Sequence, residues 1–298
     1  MNIKNELKKS GIKRVILDTD TYNEIDDQFA LALSMLAADR INLVCVTAAP
    51  FHNEKSSSFA DGMERSYREI GICTSLVAKS HEVKVPPYYR GSTERMPDEN
   101  TPVDSEAAHA IAKHVNESDE LTYVVAIGAI TNVASAVLLH PEIKDKIAVV
   151  WLGANAKWFC GGEFNLNGDV NAANSLFASG VPFLLFPCAG VVSHLILNIY
   201  ELEHFLRGNS ELGDYLCDNV AECKPNANGA VSWSRVIWDI STICGIIDPD
   251  SFSESTIARP HVNPDYSYTF GAYPGEIEHV DRINRDRMFS ILFDRLMK

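Results

Sequence analysis

No uninterrupted run of about 18 apolar residues occurs in the chain, so nothing in it is expected to span a membrane. Positive charge is also in short supply. The net charge of −14 argues against nucleic acid or an anionic membrane as the main partner. Cysteine is sparse and unpatterned: the seven positions (45, 73, 160, 188, 217, 223, 244) are odd in number and contain no C-x-x-C spacing. Several lie in apolar runs, such as Cys45 in NLVCVTAA, and read as reduced core thiols of a reducing compartment. The nine histidines form no H-x-x-H or H-x-x-x-H zinc pattern. Internal repeats and low-complexity stretches are missing as well. The basic N-terminus MNIKNELKKSGIKR leads directly into a strand without the apolar region of a signal peptide, so a cytoplasmic location is expected.

What is present is a chain of 298 residues, 46% of them apolar, with apolar runs that are short and spread from end to end. RVILDTD (14–20) reads as a buried parallel strand that ends in acids. DDQFALALSMLAADR (26–40) puts Phe29, Ala30, Leu33, Leu36 and Ala37 on one helical stripe, and INLVCVTAA (41–49) is again strand-like. Strand, helix and strand within forty residues make a βαβ unit. The rhythm returns in LTYVVAIGAI (121–130), a helix N-capped by Thr131, IAVVWLGA (147–154), a helix over 170–180 ended by Gly180, and VPFLLFP (181–187). Helices are predicted over 201–223 and 230–247, late strands at SYTF and EIEHV, and an amphipathic helix at the C-terminus. Together these predict a single α/β domain over residues 1–298, with a mostly parallel, Rossmann-like central sheet flanked by helices. Sites in such sheets form beyond the carboxyl ends of the strands. Segments 50–62, 90–105 and 155–169 are therefore the expected active-site loops.

Four aspartates, Asp18, Asp20, Asp26 and Asp27, fall within ten residues where the first strand stops, and Glu24 adds a fifth acid. Two like charges about 4 Å apart repel by about 4 kcal/mol at an effective dielectric near 20. Converging acids must therefore stay protonated or bind a cation, and oxygen ligands favour Ca²⁺ or Mg²⁺ over zinc. A solvated acidic loop with a helix N-cap is the plainer reading of such a turn. Placement between an apolar strand and a well-formed helix favours the cation site.

The turn DTDTYNEIDDQ (18–28) resembles the D-T-D-P-G-x-D-D-A motif of the inosine-uridine-preferring nucleoside hydrolase family, with two extra residues. Further blocks follow in order. VTAAPFHN (46–53) is similar to T-T-V-x-G-N, and VAIGAITN (125–132) to V-P-T-G-G-L-T-N, followed by HPEI. VVWLGA (149–154) resembles V-V-L-M-G-G, GEFN (162–165) resembles A-E-F-N, and DVNAA (169–173) resembles D-P-E-A-A. Trp238-Asp239 and then IIDP match H-D followed by I-D-P. A Mg²⁺-dependent haloacid-dehalogenase-like phosphatase, with D-x-D-x-[TV] after its first strand, is the weaker match, because Tyr22 occupies the fifth position. A non-catalytic ribose- or nucleoside-binding protein is the third reading.

The nucleoside hydrolase resemblance implies a ribonucleoside N-glycosidase dependent on Ca²⁺. By that resemblance Asp20, Asp27, Asp239 and the carbonyl of Ile127 ligate the cation, and Asp20 is the general base for the attacking water. Asp26, Asn53, Glu163 and Asn165 bind the ribose, while Asp18 supports the turn. The family's leaving-group histidine is replaced by Trp238, as in a purine-preferring branch that stacks the base on tryptophan, which implies purine ribosides as substrates. Trp158, Tyr88, Tyr89 and His81 are further base-side candidates. The loop AKWFCGG (156–162) lacks an asparagine that commonly holds the 5′-hydroxyl, with Asn155 or Lys157 as substitutes. The resemblance also implies a homodimer or homotetramer.

Overall fold

A computed structural model describes residues 1–159, 161–223 and 230–297. Its strands are β1 (Lys13–Thr19), β2 (Ile41–Ala48), β3 (Tyr88–Tyr89), β4 (Thr122–Ala126), β5 (Ile147–Leu152), β6 (Phe183–Phe186), β7 (Ile196–Asn198), β8 (Ser234–Val236), β9 (Phe252–Ala258), β10 (Pro260–Val262), β11 (Tyr268–Phe270) and β12 (Glu276–Ile283). The helices are α1 (Ile3–Lys8), α2 (Asp27–Leu36), α3 (Phe59–His81), α4 (Glu106–Asn116), α5 (Thr131–Leu139), α6 (Phe164–Gly168), α7 (Val170–Ser179), α8 (Ile199–Leu206), α9 (Glu211–Glu222), α10 (Ile240–Ile247) and α11 (Arg285–Leu296).

Eight strands form one sheet in the order β3-β2-β1-β4-β5-β6-β12-β9. All neighbours are parallel except β12 and β9. The strands are apolar on both faces because both faces are covered. Along β5, Ala148, Val150 and Leu152 enter one core, whereas Ile147, Val149 and Trp151 enter the other, as the two-residue period of a strand requires. The first core includes residues of α2, α3 and α8–α11; the second includes residues of α4, α5 and α7. The chain leaves β1 toward β2 on one side and resumes at β4 on the other. The sheet therefore has its topological switch point between β1 and β4, where a crevice opens at the strand ends.

The structure departs from the sequence reading in four places. Residues 59–81 form a long helix, so the expected loop 50–62 ends early. Ser58 caps this helix by accepting from the Asp61 N–H, a signal hidden by the helix's many charges. Thr131 is not an N-cap: its hydroxyl donates to Asp169 Oδ2 at 2.8 Å, tying α5 to α7. The predicted helix 201–223 is two helices, split where Gly208 takes φ +78° and Ser210 caps α9. The predicted helix 230–247 is helical only from Ile240, because Ser234–Val236 pair antiparallel with Ile196–Asn198. Residues 224–229, inside the segment between these two predictions, lie outside the described residues. The six described cysteines are free, five of them buried; Cys160 lies outside the described residues. No helix among the described residues is long and apolar enough to cross a membrane.

Candidate active site

The acidic turn starts where β1 runs out of partners. Asp18 is still in β1, opposite Thr47 and Ala126, and its side chain is fully buried. Its Oδ1 accepts from Thr47 Oγ1 at 2.6 Å and Asn132 Nδ2 at 2.8 Å. Asn132 in turn accepts from the N–H and hydroxyl of Ser92. Burial pushes the Asp18 carboxyl up to about 7, against these two hydrogen bonds. Asp18 thus ties the strand to α5 and the 90–105 segment, behind the cavity rather than in it.

Asp20 lies two residues on, at the cavity wall. Its Oδ2 is buried without a hydrogen-bond partner. Burial first, then the charges of Asp27 and Asp26, raise its carboxyl well above the usual range. Gly128 is what lets it fit: a Cβ there would meet the Asp20 carboxyl carbon and Oδ1 at 3.0 Å. Trp151 Nε1 fixes that turn by donating to the Gly128 carbonyl at 3.1 Å.

Asp26, Asp27 and Asp239 are buried, and each offers an oxygen within 4.8 Å of the others. Asp26 and Asp27 begin α2, and Asp239 precedes α10. Helix N-termini carry partial positive charge, which offsets part of the crowding of these acids. Asp27 Oδ1 accepts from Thr19 Oγ1 at 2.5 Å. Its carboxyl stands at about 6, raised by burial and restrained by the Thr19 and Asp239 hydrogen bonds. Asp26 Oδ2 accepts from the Trp238 N–H at 2.9 Å. Burial and the charge of Glu24 raise Asp26, and burial with the charges of Asp26 and Asp27 raises Asp239. The tightest cluster therefore contains Asp26, where the sequence reading places Asp20 among the metal ligands and Asp26 on the sugar.

These acids form one end of a cavity of about 930 Å³. The residues expected to hold the cation and the ribose, with Trp238, line it: Asp20, Asp26, Asp27, Asn53, Ile127, Glu163, Asn165, Trp238 and Asp239. Asn165 Nδ2 donates to the carbonyls of Ile127 (3.1 Å) and Leu152 (3.0 Å), binding its loop to the ends of β4 and β5. Glu163 is N-cap of α6: Oε1 accepts from the Asn165 N–H, and Oε2 from those of Ala154 and Leu166. Ala154 holds φ +58°, an uncommon conformation for a residue with a Cβ, and this turns the chain out of β5 into the site. Asn53 donates to Asn23 Oδ1 at 2.7 Å, across to the lengthened turn.

Of the three expected loops, 155–169 supplies Asn155, Phe159, Glu163 and Asn165, and 50–62 supplies Asn53, Glu54 and Lys55. Segment 90–105 contributes no wall residue; Ser92 and Met96 brace Asn132 and Asp169 from behind. Trp158, Tyr88, Tyr89 and His81 do not line the cavity, nor does Lys157. Tyr89 bonds His114, Trp158 is exposed, and Lys157 binds Ser255 and Asp281. The Asn155 side chain is engaged by the Gly161 carbonyl and the Ala189 N–H. Arg235, Phe159, Phe164 and Cys188 are wall residues that sequence reasoning missed. Phe164 stands inside the GEFN block, and Arg235 is a lone cation shortly before Trp238-Asp239; the other two carried no visible signal.

Chemically, the buried acids suit a hard cation. Three converging carboxylates and an unpartnered buried oxygen on Asp20 lack the positive charge that burial demands. The donor set is oxygen throughout, which matches Ca²⁺ or Mg²⁺ chemistry. The chain is similar to known proteins. The pyrimidine-specific ribonucleoside hydrolase RihA of Escherichia coli O1:K1 is 28% identical over 218 residues, 65% of this chain and 67% of that protein. The purine-preferring ribonucleoside hydrolase of Gardnerella vaginalis superposes with a TM-score of 0.74 at 18% identity, covering 96% of this chain and 98% of that one. A plant nucleoside hydrolase gives 0.73 at 20% identity, covering 96% and 99%. These two likenesses are of fold. The family description "Inosine-uridine preferring nucleoside hydrolase" matches residues 15–289, nearly the whole chain. The chain belongs to this nucleoside hydrolase family and is a hydrolase of N-glycosyl bonds.

Proposed function

We propose that the cavity hydrolyses purine ribonucleosides to free base and ribose, with Ca²⁺ as the resident cation. The reading is carried by the buried, mutually crowded carboxylates of Asp26, Asp27 and Asp239 beside the unpartnered oxygen of Asp20. Asp20, Asp27, Asp239 and the Ile127 carbonyl would hold the cation. The Ile127 oxygen already accepts from Asn165, and a carbonyl has a second lone pair to give. Held there, Ca²⁺ would supply the positive charge that makes a neighbouring water easier to deprotonate and that attracts the ribose hydroxyls.

Asp20 takes the proton of the attacking water. Its buried, unpartnered Oδ2 at the cavity wall is the acceptor available for that proton. Attack falls on the anomeric carbon through an oxocarbenium-like state, and direct attack by water inverts the configuration. Asp26, anchored by the Trp238 N–H, accepts from a ribose hydroxyl. Asn53, Asn165 and the remaining lone-pair capacity of Glu163 take the others. A site with this many hydroxyl partners rejects deoxyribosides, because the missing hydroxyl leaves buried groups unpaired.

The purine preference rests on Trp238, which is half-buried against the core and also lines the cavity. No histidine is among the described wall residues, so stacking takes the place of a positioned imidazole. RihA is named for pyrimidine ribonucleosides, so the substrate panel decides the point. Inosine, guanosine, adenosine, uridine and cytidine are assayed for reducing-sugar release, with and without a chelator, on wild type and Asp20→Ala. Purine ribosides are expected to be favoured, with loss of turnover on chelation and a fall of at least about 10²-fold in Asp20→Ala. Uridine hydrolysed far faster than inosine or guanosine would refute the preference. Turnover that survives metal removal would refute the mechanism.

A further inference from the structure

Departure of the base needs help that the acids cannot give. When C1′–N breaks, the bonding electron pair leaves on the base nitrogen. The water oxygen joins C1′, and its proton passes to a carboxylate. A nucleobase is a poor leaving anion unless a donor meets its developing charge. No histidine is among the described wall residues, and the cationic side chains among them are Lys55 and Arg235. Lys55 has its ammonium 5.8 Å from the centre of the Tyr22 ring. Arg235 is different. One of its terminal nitrogens donates to Glu24 Oε2 at 2.8 Å, and a guanidinium carries further N–H donors on its terminal nitrogens. Glu24 engages one of them, so this wall guanidinium has donor capacity that the protein itself does not use.

Its position is set by the chain's own peculiarities. Glu24 sits in the lengthened acidic turn, and Arg235 lies in β8, three residues before Trp238. Their ion pair joins the lengthened turn to β8, and Glu24, Arg235 and Trp238 all line the cavity.

We propose that Arg235 is the leaving-group contact of this enzyme, donating to an acceptor atom of the departing base. The assignment rests on the reading that Trp238 faces the base. Arginine stays protonated throughout, so it stabilises the base anion rather than protonating it, and solvent supplies the proton to the freed nitrogen. Glu24 orients the guanidinium and keeps it from folding onto the acids. Charge-assisted donors aimed at developing charge in a closed site give large rate effects.

The test compares nucleosides with 4-nitrophenyl riboside, whose leaving group departs without assistance. Arg235→Ala is expected to lose about 10²-fold in kcat on inosine and uridine, as for removal of one donor at developing charge. The same variant should keep 4-nitrophenyl riboside within a few-fold of wild type. Arg235→Lys should recover part of the nucleoside loss. Glu24→Gln, which breaks the ion pair but leaves the donor, should lose much less than Arg235→Ala. Equal losses on both substrate types, or a Glu24→Gln defect as large as that of Arg235→Ala, would overturn the proposal and leave Arg235 a fastener of the turn. Trp238→Ala separates the underlying reading. A raised nucleoside KM there beside unchanged Arg235→Ala kinetics removes Arg235 alone. Unchanged Trp238→Ala kinetics beside a selective Arg235→Ala defect removes the clamp and keeps the arginine.

Discussion

Asp18 and Asp20 sit two positions apart on one strand end and do different work. Asp18 is spent on Thr47 and Asn132, while Asp20 keeps one buried oxygen free. The D-T-D string in the sequence cannot tell them apart, because the difference lies in Asn132, over a hundred residues downstream. Asn132→Ala removes donors to Asp18 and to the Ala48 carbonyl and an acceptor for Ser92. It should destabilise the fold by about 2–4 kcal/mol, since buried polar groups lose their partners. Urea unfolding measures this, and a midpoint shift under half a molar at unchanged slope would contradict it. Gly128 acts on the catalytic acid itself. Gly128→Ala pushes a methyl against the Asp20 carboxylate. Turnover should fall by about 10²-fold, the cost of a misplacement near 1 Å, with Tm little changed. Full activity in that variant would show that Asp20 tolerates displacement.

At the scale of elements, the turn between β1 and α2 is a proton store whenever the cation is absent. Asp27 stands at about 6 and Asp18 at about 7, both raised by burial from 3.8. Groups raised on folding lend the metal-free protein stability that is complete below the unfolded value. It is lost as pH climbs through 6 and 7. A cation needs its ligand acids ionised, Asp27 among them, so its affinity rises as pH climbs through about 6. The gain in Tm on adding Ca²⁺ to chelator-treated protein should therefore be larger at pH 8 than at pH 5.5. A gain that is equal or smaller at pH 8 would mean that these acids do not bind the cation. The elements themselves were legible where period and caps were strong: β1, α2, β2, β4, β5, α7 with Gly180, and α11. They were illegible where a polar segment forms structure only through its neighbours. Helix α3 is highly charged outside its buried stripe, and β8 is three residues that exist because β7 lies beside them.

The site belongs to the molecule as a whole. Its walls come from residues 20 to 239, and a cation ligated by Asp20, Asp27, Ile127 and Asp239 would join β1, α2, the end of β4 and α10. Saturating Ca²⁺ at about 100 times its Kd should stabilise the fold by about 2.7 kcal/mol, or a few degrees in Tm for a domain of this size. Calorimetry with Ca²⁺ against chelator checks this, and a Tm unmoved by Ca²⁺ would argue that the cluster stays protonated instead. The sequence by itself determined the α/β layering, because apolar runs of strand length alternating with amphipathic helices bury their surface in few other ways. It also marked the acids, since the ordered blocks from DTDTYNEIDDQ to Trp238-Asp239 are readable as a string. Only the tertiary structure decided which acids converge, that Asp26 stands as close to Asp27 and Asp239 as any proposed ligand, and that Arg235 reaches the lengthened turn. Those are distances between segments far apart in sequence, and packing against a shared sheet edge is what sets them.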